Sequence, residues 1–578
     1  MIKGSACPLD CYDACEVNYE EESIKAKKEG HTAGFLCSHL NHYEQFETIQ
    51  NPQYKGKDIT LEEALKKLKE IISSTANNEI LHYRGSGNFG LMQEVTDHFF
   101  ASIGANLTDG TLCDGAGEAG IIAGRGTNKN MPLSEIKKSD VIIFWGRNPH
   151  TTSSHLLPLL KGKTIIVIDP VKTKIAKMAD LHIQLKPHTD LYLAMLITRF
   201  LHINDMCDED FLENYASEFE EYYELTQTIR IKATLENIGV TLGDIGNIIE
   251  FVREKKVAII CGVGIQKYKD GADVMRSIDT IGVALGLFAK EGCGVAYLGN
   301  SKEYIESPFE TKAKRVSKVN TPFDNYKTVF IQGTNPLSQM PDTLRVQNTI
   351  NKVENLIYFG LYENETSRAA DLIIPAKNFL EKNDIRTSYS HNTMTIMSVQ
   401  KEAKRGVSEY ELAQFLCKEF DIELQSETEY IQHFRKFSKE QEDGSLLVNK
   451  RETIPYQNGF DSDDGEFVFL EEFESLVTNN EKMHLITPKS PKSLNSQFKR
   501  EEHVYLHPSL GYEEGEEVEL FSINASIILN VKHNEDLRED CVLIYSGTKG
   551  VNYLTPSQHS YEGKSAVYQE NRIEIKRV

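Results

Sequence analysis

The chain has 578 residues, 40% of them hydrophobic, which is enough for a full core and too long for one simple domain, so several domains or one large interleaved body are expected. Asp and Glu outnumber Lys and Arg by 86 to 64, and the net charge of −22 disfavours nucleic acid, which needs a basic footprint. No stretch approaches the roughly 20 apolar residues that span a bilayer. The opening MIKGSACPLDC has neither an apolar signal core nor a twin-arginine pair, so a cytoplasmic protein without direct membrane insertion is expected.

Cysteines come first along the chain. Cys7, Cys11, Cys15 and Cys37 follow the spacing C-x3-C-x3-C-x21-C. In a reducing compartment such thiols do not pair as structural disulfides, which leaves a tetrahedral zinc or an iron–sulfur cluster. Zinc ligands usually come as two separated knuckles, whereas three close ligands and one distant one suit a cubane better. Spacing alone leaves both open. The other cysteines beyond residue 113 are scattered, as small buried hydrophobes are.

Residues 59–75 carry helical apolar spacing with Thr60 as a plausible N-cap. Strand-to-loop units follow: EILHYRGSGNFG, DVIIFWGRNP, KTIIVIDP, KVAIICGVGIQ, TVFIQGTNP and ENLIYFGLYENETSRAADLIIPA. Helical stretches such as LYLAMLITRFL and DVMRSIDTIGVALGLF separate them, which predicts α/β layers with mostly parallel strands. The polar, acidic, glycine-bearing stretch 438–466 reads as a connector. From about 481 the pattern is strand-like throughout (MHLITP, HVYLHP, EEVELFSI, ASIILNVK, CVLIYS, AVYQ), which predicts a C-terminal β-barrel.

In open α/β sheets ligands bind beyond the carboxyl ends of strands. Gly146–Arg147–Asn148–Pro149, Gly262–Val263–Gly264–Ile265–Gln266 and Gly333–Thr334–Asn335–Pro336 fall there, where glycine lets backbone N–H groups approach a pyrophosphate. Asp169 and Asp190 are acceptor-only carboxylates suited to ribose hydroxyls or a guanine edge. Taken singly each loop is an ordinary turn with an Asx cap; together they favour a nucleotide-bearing ligand. Cys113 sits among small residues in GTLCDGAGEAG, and as a lone residue it reads as a buried structural thiol.

In this order the motifs resemble those of the molybdopterin oxidoreductase superfamily, dimethyl-sulfoxide-reductase type. The resemblance covers nearly the whole chain: CPLDCYDAC…GFLC, GSGNFG…GTLCDGAGEAG, SDVIIFWGRNP, VIDPVKTKIAKMADLHIQLKPHTD, VGIQ, GTNPL, TSRAADLIIPAKNFLEKND, HLITPKSPKSLNSQF, VNYLTP and AVYQENRIEI. It implies an interleaved multi-domain α/β architecture with doubly wound parallel-sheet domains, a small N-terminal Fe–S domain and a C-terminal β-barrel. The division expected is 1–48 for the Fe–S domain, 49–130 with 320–450 for a discontinuous α/β domain, 131–319 for a dinucleotide-binding-like domain and 481–578 for the cofactor-binding barrel.

The resemblance also implies chemistry. Cys7, Cys11, Cys15 and Cys37 would hold a 4Fe–4S cluster, and Cys113 would ligate molybdenum, or tungsten, carried by two molybdopterin guanine dinucleotides. Trp145, Gly146, Asn148, Asp169, Asp190, Gly262, Gly264, Gln266, Gly333, Thr334, Asn335 and Asp384 would line the dinucleotide grooves. Thr487, Ser493, Asn495, Ser496 and Asn552 would close over the cofactor from the C-terminal domain. The activity implied is two-electron oxidation or reduction of a small molecule, with electrons passed through the cluster to a partner protein or soluble carrier. Asp114, Glu118, His82 and His98 are candidate proton handlers near the metal.

The chain departs from the pattern at three places. His39 stands where many relatives have Lys or Arg two residues after the fourth cysteine, and a relay role and plain packing are both open to it. His188 replaces the glycine of a P-G-T-D motif. Asp114, rather than His, follows the metal-ligating cysteine, which counts against a formate-dehydrogenase-like activity. One alternative is a non-redox hydratase on the same scaffold, with Asp10 or Asp13 activating water; another is a binding protein that keeps only the cluster.

Overall fold

The computed structural model describes residues 4–28, 30, 34–309, 311–475 and 482–578. The chain forms two compact units: Met1–Gly110, Ser301–Arg451 and Lys492–Lys499 make the first, and Thr111–Asn300, Glu452–Pro491 and Arg500–Val578 the second.

An eight-stranded sheet centres the first unit, in the order Arg315–Ser317, Asn106–Asp109, Ile80–Arg84, Thr328–Gln332, Asn355–Gly360, Leu372–Pro375, Gln53–Tyr54, Lys57–Asp58. The first six strands are parallel, and Gln53–Tyr54 is antiparallel to both of its neighbours. Thr328–Gln332 is buried throughout, as expected of a parallel strand covered on both faces. The expected amphipathic helix forms as Leu61–Ser74. Its start is a capping box: Glu63 N–H donates to Thr60 Oγ1 at 3.2 Å, and Thr60 N–H donates to the Glu63 carboxylate at 2.8 Å. The helix buries Leu68, Ile71 and Ile72 against Ile80, Phe99 and Phe330.

Among the described residues this unit also holds smaller sheets. Ser5–Ala6, Glu16–Glu20 and Ser23–Ala26 carry the cysteine segment. Asp384–Thr387, Thr393–Met397, Leu446–Val448 and Ser438–Glu440 form a four-stranded sheet. Part of the stretch expected as a connector is therefore a hairpin. Its polar tip is the turn itself, with Ser445 N–H donating to Asp443 Oδ1 at 2.9 Å and Gly444 at φ 79°, while Val448 is buried with Leu91 and Ile385.

In the second unit a five-stranded parallel sheet runs Leu181–Ile183, Thr164–Ile168, Val141–Trp145, Val257–Cys261, Gly294–Ala296. Helices Gly115–Arg125 and Gly271–Ala284 pack closely, and a Cβ at Gly120 would lie 2.1 Å from the Ala272 carbonyl oxygen. The buried Arg125 joins them through Asp279, Nε to Oδ2 at 2.7 Å. The barrel is closed by six strands: Met483–Ile486, Cys541–Leu543, His503–Leu506, Ser526–His533, Glu517–Phe521 and Arg572–Arg577. The expected AVYQ strand is not among them. Ser565 and Ala566 make only isolated bridges, to Thr111 and His559, because this stretch is tied to the Cys113 loop, and Arg572–Arg577 closes the barrel instead. Among the described residues no helix is long and apolar enough to cross a membrane.

Candidate functional site

In the first unit the cysteine segment folds back on itself, Cys7 N–H donating to the Cys15 carbonyl at 2.8 Å. Cys7 and Cys15 are buried and Cys11 and Cys37 half-buried. Burial, then Cys11 and Cys37, push the Cys7 thiol far up; burial, then Cys7, Asp13, Cys11 and Cys37, do the same to Cys15. Cys11 and Cys37 thus lie near enough to Cys7 and Cys15 for their charge to act on both, though burial is the larger cause, and such thiols ionise together only if a cationic centre joins them. A donor set of four thiols, two buried and two half-buried, fits an iron–sulfur cluster. Cys37 precedes the short helix Ser38–Asn41, where His39 packs on Phe498 with ring centroids 5.4 Å apart. Phe498 belongs to the hairpin Ser493–Leu494/Gln497–Phe498, which holds Ser493, Asn495 and Ser496 and groups with this unit. Asn495 Nδ2 donates to Asp10 Oδ2 at 3.3 Å.

The eight-stranded sheet reverses its winding at Ile80–Arg84, whose neighbours are Asn106–Asp109 on one side and Thr328–Gln332 on the other. Such a switch point is where doubly wound sheets bind ligands. The loops there carry Gly85, Gly87, Gly90 and Gly333, Thr334, Asn335. Asn335 is committed internally: Nδ2 donates to Glu365 at 2.8 Å, and Oδ1 accepts from Thr366 Oγ1 at 2.8 Å. Thr334 Oγ1 donates to Gln339 at 2.9 Å. Asp384 is fully buried under the glycine loop, accepting from Asn88 Nδ2 at 2.9 Å and Met92 N–H at 3.0 Å. Of the candidate proton handlers in this unit, His82 is buried against Gln332, 3.0 Å, and His98 lies on the surface bonded to the Glu423 carbonyl, 3.0 Å.

A second switch point lies at Val141–Trp145, between Thr164–Ile168 and Val257–Cys261. Gly146 and Gly262 follow two adjacent strands so closely that a Cβ at Gly262 would sit 1.8 Å from the Gly146 carbonyl oxygen, whereas nothing lies within 4 Å of a Cβ at Gly264. Asn148 caps its own turn, Oδ1 accepting from His150 N–H at 3.2 Å. Trp145 is buried and its Nε1–H donates to Asp190 Oδ1 at 2.7 Å. Burial raises Asp190 to about 6, and burial with the nearby Asp190 raises Asp169 to about 7. His188 has a left-handed backbone, φ 66°, a conformation that favours glycine. Its ring is held by Asp270, Nε2 to Oδ1 2.9 Å, and stacked on Tyr268 at 4.0 Å.

Cys113 is half-buried just before helix Gly115–Arg125, with Asp114 at its N-cap. Its loop is gripped from several sides within the second unit. Gln266, fully buried, donates from Nε2 to the Cys113 carbonyl at 2.9 Å and accepts at Oε1 from Gly117 N–H at 2.9 Å. Lys267 Nζ donates to the Leu112 carbonyl at 3.0 Å, and Tyr297 OH to the Asp114 carbonyl at 3.5 Å. A Cβ at Gly563 would lie 2.0 Å from the Gly115 carbonyl oxygen, so the two backbones touch. Glu118 is raised by burial and by Asp114. From the barrel, Thr487 bonds Gln569, whose N–H donates to the Lys267 carbonyl at 3.0 Å; Asn552 Oδ1 accepts from Thr555 Oγ1 at 3.2 Å. Soft sulfur at the positive end of a helix suits a heavy-metal thiolate.

Sequence reasoning missed Lys267, Tyr297 and Gln569. Lys267 adjoins the GxGxQ loop; the others carry no local pattern.

The molybdopterin oxidoreductase family model matches residues 53–407. The probable oxidoreductase YyaE of Bacillus subtilis (strain 168) is 26% identical over 447 residues, 70% of this chain and 67% of its own length. The probable oxidoreductase YoaE of the same organism is 25% identical over 100% of this chain and 98% of its own length. Acetylene hydratase from Pelobacter acetylenicus shares the fold, with a TM-score of 0.78, 14% identity and 100% coverage of both chains.

Proposed function

The chain belongs to the molybdopterin oxidoreductase family, of the dimethyl-sulfoxide-reductase type, and on that premise we propose that it binds molybdenum or tungsten through two molybdopterin guanine dinucleotides and a 4Fe–4S cluster, oxidises or reduces a small molecule by two electrons, and exchanges those electrons with a partner protein or soluble carrier. The observation that carries the reading is the Cys113 loop, a soft ligand held in place by Gln266, Lys267 and the Gly115–Gly563 contact. Two glycine-lined switch points, one per parallel sheet, match the two dinucleotides. The four-domain division at 1–48, 49–130 with 320–450, 131–319 and 481–578 belongs to the same proposal.

When bound, the metal supplies a two-electron centre and a Lewis acid. The chain's own contribution is position and protonation. Cys113 provides the protein sulfur. Gln266 fixes the carbonyl of that residue and the first turn of its helix. Asp190, oriented by Trp145, would accept from a nucleobase edge, and Asp169, near enough for the Asp190 charge to act on it, from a ribose hydroxyl. Asp114, next to the ligand in sequence, and Glu118, held protonated more readily than an ordinary glutamate by burial and by Asp114, are the proton carriers beside it. In the cysteine centre, thiolates replace thiols that burial keeps neutral.

The test is an anaerobic dye-linked assay of wild type and Cys113→Ala against sulfur oxyanions, polysulfide, N- and S-oxides, formate and aldehydes. The reading expects dye-dependent turnover of at least one compound, lost in the variant. Turnover that needs no electron donor or acceptor would overturn it in favour of hydration.

A further inference from the structure

Arg386 lies on the strand Asp384–Thr387 and is 3% exposed. Its guanidinium donates to three main-chain carbonyls: Nε to Cys7 at 3.3 Å, Nη2 to Leu9 at 3.3 Å and Nη1 to Phe89 at 3.2 Å. The planar group also stacks over the Phe89 ring, 4.8 Å from its centroid. Two of the three carbonyls belong to the segment that bears Cys7 and Cys11. Among the described residues no ion pair of Arg386 with a carboxylate is found; burial, which disfavours its charge, acts on it most, and Cys7, Tyr389, Cys11 and Asp10 follow in that order.

A buried guanidinium bonded only to carbonyls is costly, because desolvation removes its hydration and neutral dipoles restore only part of it. Protonated thiols do not offset that cost. Four thiolates around an iron–sulfur cluster do, since the assembly is net negative. Position 39, two residues after Cys37, holds a histidine, whose charge follows pH. A permanent charge instead reaches the cysteines from a strand more than three hundred residues away in sequence.

We propose that Arg386 is the built-in counter-cation of the four-cysteine centre and that it raises the centre's reduction potential. The inference rests on the cluster reading above. The step it governs is addition of one electron from a one-electron donor, with no bond made or broken and the negative charge of the centre increased by one. A fixed positive charge stabilises the more negative, reduced form, and cluster potentials respond to such neighbouring charge and hydrogen bonds.

The experiment is a redox titration of the anaerobically purified full chain, followed by the EPR signal of the reduced cluster, for wild type, Arg386→Lys, Arg386→Gln and Arg386→Met. Iron and sulfide are quantified in each. In the neutral variants electron uptake is expected to weaken by at least about tenfold, which is 59 mV for a one-electron couple, with Arg386→Lys closer to wild type. A neutral variant that holds the cluster at the wild-type potential overturns the proposal. If both neutral variants lose the cluster and Arg386→Lys keeps it, the charge is required and the proposal stands. If all three lose it, hydrogen-bond geometry rather than charge is what matters and the proposal falls. Absence of iron and sulfide from wild type fails the cluster reading itself, a different result from any of these.

Discussion

Asp190 shows how a single side chain ties stability to ligand binding. Its folded pKa of about 6 lies above the ordinary 3.8 because burial disfavours the charge. The unfolded chain therefore ionises first as pH rises, and the apo-protein loses stability between about pH 4 and pH 6, a loss that persists above. Asp190→Asn keeps an acceptor for Trp145 Nε1. It is predicted to stabilise the apo-protein at pH 8 by about 3 kcal/mol, with a smaller gain at pH 5, as measured by thermal unfolding at both pH values; an equal or negative effect at pH 8 would contradict the assignment. Gln266 makes the opposite case. Gln266→Leu strands the buried Gly117 N–H and Cys113 carbonyl, at a cost of about 1–3 kcal/mol. Molybdenum or tungsten per chain should fall with it, and a variant that unfolds earlier but retains full metal would show that Gln266 does not position Cys113.

Between elements, the decisive contact is that of helices Gly115–Arg125 and Gly271–Ala284, which sets where Cys113 stands. Gly120 lets the backbones meet, and Arg125 with Asp279 locks them. Asp279→Ala leaves a buried guanidinium unpaired and is predicted to cost about 3–5 kcal/mol in urea unfolding followed by circular dichroism; a loss near zero would mean that the stacking of Arg125 on Phe288, 4.7 Å, suffices. Elements were legible in the sequence where the signal is local. The partners of the capping box, Thr60 and Glu63, are three positions apart, and apolar runs ending in glycine marked Val141–Trp145, Val257–Cys261 and Thr328–Gln332. The hairpin Ser438–Glu440/Leu446–Val448 was not, because its acidic tip resembles a linker and its partner strand Thr393–Met397 is distant in sequence. The same limit applies to the site. Cysteine spacing and glycine loops reveal the residue types, but the clamp from Gln266 to Cys113 spans 153 positions and Arg386 reaches Cys7 across 379.

At the scale of the whole molecule, two parallel sheets each reverse their winding beside glycine-bearing loops, and each reversal is a nucleotide site in principle. Acid hydrolysis of the purified protein is accordingly predicted to release two guanine nucleotides for each atom of molybdenum or tungsten; one would mean that only one switch point is used. The central claim is that this polypeptide's sulfur binds both an iron–sulfur cluster and a heavy metal. Elemental and sulfide analysis of anaerobically purified protein tests it most directly. The account predicts a brown protein with about four iron and four labile sulfide per chain and one molybdenum or tungsten. A colourless protein holding zinc at the four cysteines, with neither heavy metal, would contradict it.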